Sequence, residues 1–447
     1  MINETIILLV YNYNYEDRNH RLLKYVKRYC AAYLPFDLYL YEPLQKIFSK
    51  VILYDYLKRR AEIGIKAMNE EIIALVRKEH AKYVLWTSFY DDVQQSTLDT
   101  IREEGSTVVG WFFDDEWRFN SYSKYWSPYL DYCVTNSIEA VPKYRALNAR
   151  VIQTIPNTGI AVTRDWSNIE ERYEVSFVGS VRSRLWADRR QCINKLRGRN
   201  ISVRLFGEGS GGYISFEEMI DIFKTSKINL NFSRAGSYPW VKQIKGRVFQ
   251  VCMAGGFLLT EYAPGIENYF EIDKEIVCFE NAEEMIDKTT YYLNHDKERR
   301  AIAQAGWDRA NGEYTSFHMV AKVFRQIEQD MVAKNKESPY PCPQKLEMPI
   351  WVRMILSQYH FQWGRALLEE NYKADLWKDA LALSLSYSPL HIGAWYYRLV
   401  SFLPSSMRPA FFKLYNAMEK LRRALLFGLG SIPYLRKMIQ SFAKRFW

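Results

Sequence analysis

The chain has 447 residues, and at about 100–200 residues per domain this length predicts two or three domains. Hydrophobic residues make up 48% and charged residues 25%, a balance that excludes a disordered chain and is ordinary for a globular protein. The net charge of +10 lies almost entirely in the last part of the chain, so the body is nearly neutral and nucleic-acid binding is not expected.

Targeting signals are not recognisable in the sequence. The N-terminus lacks the basic start and long apolar core of a signal peptide, and no apolar stretch approaches the roughly 18–20 residues that span a bilayer. The six cysteines are scattered without a C-x-x-C pair, which is typical of reduced thiols. We therefore expect a cytoplasmic protein that is not integral to a membrane.

The first third of the chain alternates between strand-like and helix-like segments. Apolar runs at 5–10, 83–86 and 107–113 are rich in residues that favour strands, and helical spacing is found at 16–33 and 93–104. Strands that alternate with helices of this length predict a parallel sheet covered on both faces.

A second unit with the same alternation begins near Tyr173. The predicted strands are 174–180, 201–207, 227–232 and 257–260, and the predicted helices are 185–196, 216–224, 245–254 and 282–293. The sequence therefore predicts an α/β fold of two Rossmann-like domains, 1–158 and 159–335, joined through the turn-forming segment 155–159. After a polar linker, 345–447 is predicted to be an all-helical module.

The segment 245–261 carries the clearest candidate site. Lys245, Arg247 and Gln250 stand at the front of a predicted helix that ends in a Gly-Gly turn, Gly255 and Gly256, before a buried strand. Helix N-termini attract anions, and two cations there would add charge-assisted bonds to a diphosphate. An amphipathic helix with a glycine C-cap explains the same spacing.

A family resemblance favours the first interpretation. The run 247–261 reads R-V-F-Q-V-C-M-A-G-G-F-L-L-T-E, followed by Y-Y-L at 291–293 and E-R-R-A-I-A-Q-A-G at 298–306. Together these motifs resemble the donor domain of the spore-maturation-protein-like glycosyltransferases, over about 175–329. The resemblance implies the GT-B architecture, in which two Rossmann-like domains face each other across a cleft, and a nucleotide-sugar donor.

The resemblance also implies which residues hold the donor. The family's donor-helix glutamate accepts the ribose hydroxyls, and here that position is Gln250, which accepts without a charge. In related enzymes the turn after the first donor-domain strand binds phosphate, although a solvated basic turn is the alternative for its two arginines. The implied donor-binding set is Gly179, Ser180, Arg182, Arg184, Gln250, Gly255, Gly256, Thr260 and Glu261.

The chemistry implied is transfer of a sugar from a nucleoside-diphosphate sugar to a glycan or lipid-linked acceptor in surface-polysaccharide synthesis, with retention. Arg247 and Lys245 would stabilise the departing diphosphate in place of a metal, so no cofactor or metal is expected. Asp114 and Asp115 follow an apolar strand, where open α/β sheets bind ligands, and would accept hydrogen bonds from the acceptor sugar.

Two alternatives remain open from the sequence. The acidic triplet at 114–116 also suits a single-domain, metal-dependent (GT-A) glycosyltransferase, because aspartates suit hard cations. The substitution at Gln250 also suits a non-catalytic, membrane-docked scaffold on a degenerate transferase fold.

The C-terminal segment from Arg408 to Trp447 is basic and amphipathic. Nine basic residues stand there against one acid, Glu419, and they alternate with aromatic and aliphatic residues. This pattern is typical of helices that bind anionic membrane surfaces, and it predicts peripheral docking on the inner face of the plasma membrane. Packing of its apolar side on the preceding helices is the alternative.

Overall fold

The computed structural model describes residues 1–11, 37–156, 159–181, 186–207, 214–235, 238–334, 344–370 and 374–430. The helix predicted at 16–33, Arg182, Arg184 and the last residues of the basic segment lie outside the described residues.

The first domain is built on a six-stranded parallel sheet. Its strands are β1 (Ile2–Val10), β2 (Phe48–Asp55), β3 (Tyr83–Ser88), β4 (Thr107–Phe112), β5 (Tyr132–Thr135) and β6 (Val151–Gln153). The strand order is β2-β1-β3-β4-β5-β6, and Leu8 in the central β1 lies opposite both Leu53 and Leu85. The last five residues of β1 are all buried, because a central parallel strand is covered on both faces.

Short helices cover this sheet. They are α1 (Glu42–Ile47), α2 (Tyr56–Ile63), α3 (Ile65–Glu79), α4 (Gln95–Glu103), α5 (Asp115–Arg118), α6 (Lys124–Trp126) and α7 (Val141–Ala146). A single π-helical turn, Asp37–Tyr41, precedes α1 and brings Tyr39 into the core.

The second domain repeats the design with a five-stranded parallel sheet and a small hairpin. Its strands are β7 (Tyr173–Val178), β8 (Val203–Phe206), β9 (Ser226–Asn231), β10 (Arg234–Ala235), β11 (Tyr238–Lys242), β12 (Leu258–Glu261) and β13 (Val277–Phe279). The sheet order is β13-β12-β9-β7-β8, and β10 and β11 form the hairpin. Two parallel Rossmann-like sheets confirm the predicted fold class.

The helices of the second domain follow its strands. They are α8 (Ala187–Arg197), α9 (Phe216–Lys224), α10 (Gly246–Met253), α11 (Ala282–Asn294), α12 (Asp296–Glu313) and α13 (Ser316–Lys334). Helix α9 begins with a capping box, in which Ser215 and Glu218 each bind the other's backbone amide.

Helix α13 connects the two domains by packing back on the first. The ring of Phe324 lies 4.8 Å from that of Phe48 and 5.9 Å from that of Tyr83, both in edge-to-face contact. At the other side, hairpin residue Tyr238 stacks on Trp117 of α5, with the ring centroids 5.1 Å apart. The two sheets are therefore tied together on both sides of the cleft between them.

A helical module follows. Its helices are α14 (Ile350–Glu369), α15 (Ala374–Tyr387), α16 (Ile392–Val400) and α17 (Arg408–Gly430). Helices α14 and α15 pack closely because Gly364 has no side chain: a Cβ there would lie 2.7 Å from Leu381. Among the described residues, no helix is long and apolar enough to cross a membrane.

A buried polar network joins this module to the first domain. Arg60 donates to Asp92 (2.5 Å) and contacts Nδ1 of His360 (2.9 Å), while Tyr359 donates to Asp92 (2.9 Å). Nε2 of His360 lies 2.9 Å from both oxygens of Asp91. Burial opposes the charge of Asp91, but His360 and Arg60 lower its pKa. Hence the helical module packs on the first domain through buried side chains.

Candidate functional site

A cavity of about 370 Å³ lies between the two sheets. In each sheet the first strand, β1 or β7, lies between two later strands, and such a switch point is where open α/β sheets bind ligands. Tyr11 and Phe89 follow β1 and β3 on one wall, and Gly179 and Phe232 follow β7 and β9 on the other. The cavity therefore lies where both switch points face each other.

Two of the predicted cations line this cavity. Lys245 immediately precedes α10, whose start is not capped by any side chain, and its ammonium donates to the carbonyl oxygen of Arg234 (2.7 Å). Arg247 contacts the sulfur of Met219 and lies 5.4 Å from the ring centroid of Phe223. Neither contact neutralises a positive charge, so both cations remain available to an anion.

A third cation in the cavity wall was not predicted. Arg189 lies in the first turn of α8, is 6% exposed, and its guanidinium lies 3.6 Å from the ring centroid of Trp186. It donates to the carbonyl oxygens of Ser180 (3.4 Å) and Arg234 (3.3 Å), and its Nε has no hydrogen-bond partner among the described residues. It shares the Arg234 carbonyl with Lys245, so the two cations are adjacent.

Burial of these cations lowers their pKa values. Burial and the neighbouring Arg189 lower the pKa of Lys245 to about 7. Burial also lowers the pKa of Arg189 and that of Arg247, each to about 10. A bound anion would offset the cost of burying these positive charges, so the electrostatics favour an anionic ligand such as a phosphate.

The opposite wall carries carboxylates. Asp114 follows β4 in the left-handed region, with φ of 60°, and lines the cavity. Gln243 from the second domain donates to Asp114 (3.1 Å) and to Glu116 (3.4 Å) across the cleft. Burial and Asp114 raise the pKa of Glu116 to about 8. A non-glycine residue in this backbone conformation is a strained feature of the kind found at functional sites.

Gln250 is held across the domain interface. Its side chain is 8% exposed, and Nε2 donates to the hydroxyl of Tyr39 in the first domain (2.7 Å). Both residues line the cavity. The Gln250 amide therefore lies in the candidate site, with a partner from the facing domain.

Of the other predicted residues, some line the cavity and others do not. Gly179 lines it, and the Ser180 carbonyl accepts from Arg189. Asp115 lies away from it: burial raises the pKa of this fully buried carboxyl, which accepts from Ser123 and Tyr144.

The remaining predicted donor residues form the structure behind the site. Gly255, with φ of +73°, packs against Arg164, and Gly256 packs against Asn229, so both allow close contact at the end of α10. Thr260 is buried and accepts from Asn231 (2.9 Å). Glu261 accepts from the Ser233 amide (3.0 Å) and pairs with Lys242. None of these four lines the cavity.

Three residues of the site, Arg189, Tyr39 and Gln243, were not predicted from the sequence. Only Arg189 lies in a pattern that could have indicated it. Arg189 shares a helix face with the buried Ile193 and Leu196, and a cation on an apolar stripe is such a signal. Tyr39 and Gln243 meet their partners across the domain interface, a pairing that spacing along the chain does not predict. In the described part of the chain, no group of three or more His, Cys, Asp and Glu side chains is arranged to hold a metal ion.

One of the comparisons with known proteins matches a family model within the second domain. Residues 182–325, about a third of the chain, match the family model described as "Glycosyl transferase-like". No curated protein matches the sequence.

Solved structures with a similar fold include TarM, at 10% identity and a TM-score of 0.44, with 58% of each chain covered. The pneumococcal O-GlcNAc transferase GtfA, in complex with UDP and GlcNAc, has 8% identity and a TM-score of 0.42, over 58% of this chain and 60% of that one. Sucrose-phosphate synthase from Thermosynechococcus elongatus has 8% identity and a TM-score of 0.48, with 74% of this chain and 100% of that one covered. The chain thus spans well under two thirds of TarM and GtfA.

These findings describe the fold and one similarity. The protein has two facing Rossmann-like domains, which is the GT-B architecture. Its second domain contains the region 182–325, which is similar to the glycosyl transferase-like family.

The low pKa of Lys245 leads to a pH prediction. If the ammonium binds the donor, kcat/KM should fall as pH rises through about 7, because kcat/KM reports ionisations of the free enzyme and the lysine loses its charge there. Lys245→Arg keeps the charge and should abolish this fall. Lys242→Arg, a nearby lysine paired with Glu261, is the matched control and should keep the wild-type profile. A wild-type profile that is flat across neutral pH would contradict the assignment.

A second prediction concerns Gln250. If its amide contacts the ribose, Gln250→Ala should raise the donor KM by about fivefold with a smaller change in kcat, since that contact is equal in ground and transition states. Gln250→Glu should tighten the donor or leave it unchanged. Tyr39→Phe breaks the same interdomain hydrogen bond and is the control. If Tyr39→Phe matches Gln250→Ala, the amide acts through the domain interface and not through ribose.

Proposed function

We propose that the protein transfers a sugar from a nucleoside-diphosphate sugar to a glycan or lipid-linked acceptor. The observation that carries this proposal is the convergence of Lys245, Arg247 and Arg189 on one cavity between the two sheets. A diphosphate is the part of such a donor that needs this much positive charge, and its size suits a cavity of about 370 Å³.

Departure of the diphosphate builds negative charge, and the three cations would stabilise it in the transition state. The uncapped start of α10 adds backbone amides and the positive end of the helix dipole. In this mechanism the protein's own cations take the role that a metal has in other transferases. Gly179 would approach the donor by its backbone, and Gln250 would contact the ribose.

The acceptor would bind against the opposite wall. Asp114 faces the cavity and, with Glu116, is bound by Gln243 from the donor side. A carboxylate at this position would accept hydrogen bonds from sugar hydroxyls. The raised pKa of Glu116, about 8, also suits it to give or take a proton near neutral pH.

The finer assignments rest on the sequence resemblance. The motifs at 247–261 and 298–306 support placing the protein with the spore-maturation-protein-like glycosyltransferases, and by that analogy we propose a retaining reaction in surface-polysaccharide synthesis. Polysaccharide precursors carried on lipids are found at the cytoplasmic face of the membrane, so we propose that location for the enzyme.

Helix α17 supports the proposed peripheral docking of the basic segment. Leu414, Met418 and Leu421 are 52%, 56% and 63% exposed and recur at helical spacing on one side. Lys413 and Lys420, also exposed, flank this stripe. Phe412 lies on the other side and stacks on Tyr397. Hence the helix both packs on the module and presents an apolar, basic stripe.

The experiment that tests the proposal is a panel of nucleotide sugars, read by release of nucleoside diphosphate with and without lipid-linked acceptors. We expect release from at least one donor, and we expect EDTA to leave the rate unchanged. Loss of activity in EDTA that Mn²⁺ restores would favour a metal-dependent mechanism. No release from any donor, together with no nucleotide binding, would favour the scaffold.

A further inference from the structure

Helix α16 has two apolar faces, although a surface helix needs only one. Its inner face, which includes Ala394 and Tyr397, is fully buried. On the outer face Ile392, Trp395 and Leu399 are 83%, 45% and 66% exposed. Their spacing of three and four residues places them on one side of the helix.

The exposed apolar area extends beyond both ends of the helix. Leu390, just before it, is 87% exposed, and Phe402, just after it, is 79% exposed. We call Leu390, Ile392, Trp395, Leu399 and Phe402 the α16 surface. Single exposed apolar residues are ordinary, but a run of five large ones in thirteen residues marks an interaction site.

The fold holds this surface outward. His391 caps the helix by accepting from the Ala394 amide (3.0 Å), and the indole of Trp395 donates to the Pro389 carbonyl (2.7 Å). Arg408 fixes the segment after the helix by donating to the carbonyls of Ser401 (2.9 Å) and Leu403 (3.0 Å). The exposure is therefore a property of an ordered structure.

The segment that carries the α16 surface has charges of one sign. No Asp or Glu occurs between Asp379 and Glu419, whereas Arg398, Arg408 and Lys413 do. The guanidinium of Arg398 lies 5.4 Å from the ring of Trp395, within the surface itself. Exposed aliphatic side chains, a tryptophan and unopposed cations are the combination that binds at the interface of an anionic bilayer.

We propose that the α16 surface inserts into the interfacial region of an anionic lipid bilayer. The α16 surface lies just before the basic segment that begins at Arg408, and the first cations of that segment border it. The α16 surface would supply the apolar part of membrane binding, and it orients the helical module toward the lipid. The helical module packs on the first domain through Asp91 and Asp92. Docking would therefore fix the orientation of the first domain, and of the proposed acceptor wall at Asp114, relative to the membrane.

The test is vesicle sedimentation of the full chain, which requires no donor and so is independent of the proposed activity. The triple variant Ile392→Ser, Leu399→Ser and Phe402→Ser removes the apolar part without touching a buried residue. Exposed apolar residues of the second domain supply the matched control, Ile160→Ser, Phe317→Ser and Val332→Ser. Vesicles contain phosphatidylglycerol and phosphatidylcholine in equal parts, and phosphatidylcholine alone.

We expect the wild type and the control variant to bind the anionic vesicles and the α16 variant to bind at least about tenfold more weakly, given the transfer free energy of three large apolar side chains. A chain that ends at Gly430 lacks the last cations of the basic segment. It should therefore retain the vesicle binding that persists at high salt, which is the apolar contribution. Equal binding by the α16 variant, or no binding by the wild type, would overturn the proposal. So would a self-association, seen by sedimentation velocity, that the triple variant abolishes while vesicle binding is unchanged.

Discussion

Replacing Arg247 with alanine is expected to lower kcat for sugar transfer by about 10²-fold, the effect of removing one transition-state donor. The guanidinium lines the cavity, and among its described contacts are the sulfur of Met219 and the ring of Phe223, so its charge is not neutralised there. Charge on the leaving diphosphate grows as the glycosidic bond breaks, and a cation in this position therefore stabilises the transition state more than the ground state. Steady-state kinetics at saturating donor measure the effect.

The matched control is Arg204→Ala. Arg204 lies in β8 of the same domain with its side chain exposed, and it should have no effect on kcat. The far-ultraviolet circular dichroism and thermal midpoint of both variants should match the wild type. A natively folded Arg247→Ala variant with wild-type turnover would remove Arg247 from the mechanism.

Replacing Asp92 with alanine is expected to destabilise the protein by about 3–5 kcal/mol, the cost of leaving a buried charge without its partner. Asp92 is 1% exposed and accepts from both Arg60 and Tyr359. Its loss would leave the Arg60 guanidinium, itself 3% exposed, beside His360 without a carboxylate at that end. Urea denaturation followed by fluorescence measures the change in the free energy of unfolding.

Asp99 provides the control for this prediction. It also joins the first domain to the segment before α14, through Lys345 (3.0 Å), but that pair is exposed. Exposed ion pairs contribute little, so Asp99→Ala should leave the urea midpoint nearly unchanged. If Asp92→Ala has an equally small effect, the network does not hold the module on the first domain.

Much of the fold was predictable because buried parallel strands are continuous apolar runs. The predicted strands at 5–10, 83–86 and 227–232 lie within or closely match β1, β3 and β9, and the helix predicted at 216–224 has the bounds of α9. Strands β5, β6 and β13 were missed, since runs of three or four residues are too short for periodicity to identify. The eight-residue β2 was also missed, although it contains the apolar run 51–54. The hairpin β10–β11, with strands of two and five residues, was missed as well.

The candidate site was partly predictable, because Lys245, Arg247 and Gln250 share one helix start. Asp114 lines the cavity, whereas its neighbour Asp115 is buried against Tyr144. The left-handed backbone of Asp114 separates these two orientations, and the sequence does not predict it. The contribution of Arg189 depends on the packing of α8. The contacts of the helical module with Asp91 and Asp92 join residues more than 260 positions apart, as in the pair of Tyr359 and Asp92.

The most direct test of the donor site is isothermal titration of uridine, guanosine, adenosine and thymidine diphosphates into the wild type and into Arg247→Ala, both in EDTA. We expect one of them to bind the wild type without a metal and to bind the variant at least about tenfold more weakly. Equal affinity in the two proteins, or no binding of any diphosphate to the wild type, would contradict the claim that the cations between the two sheets form a donor site.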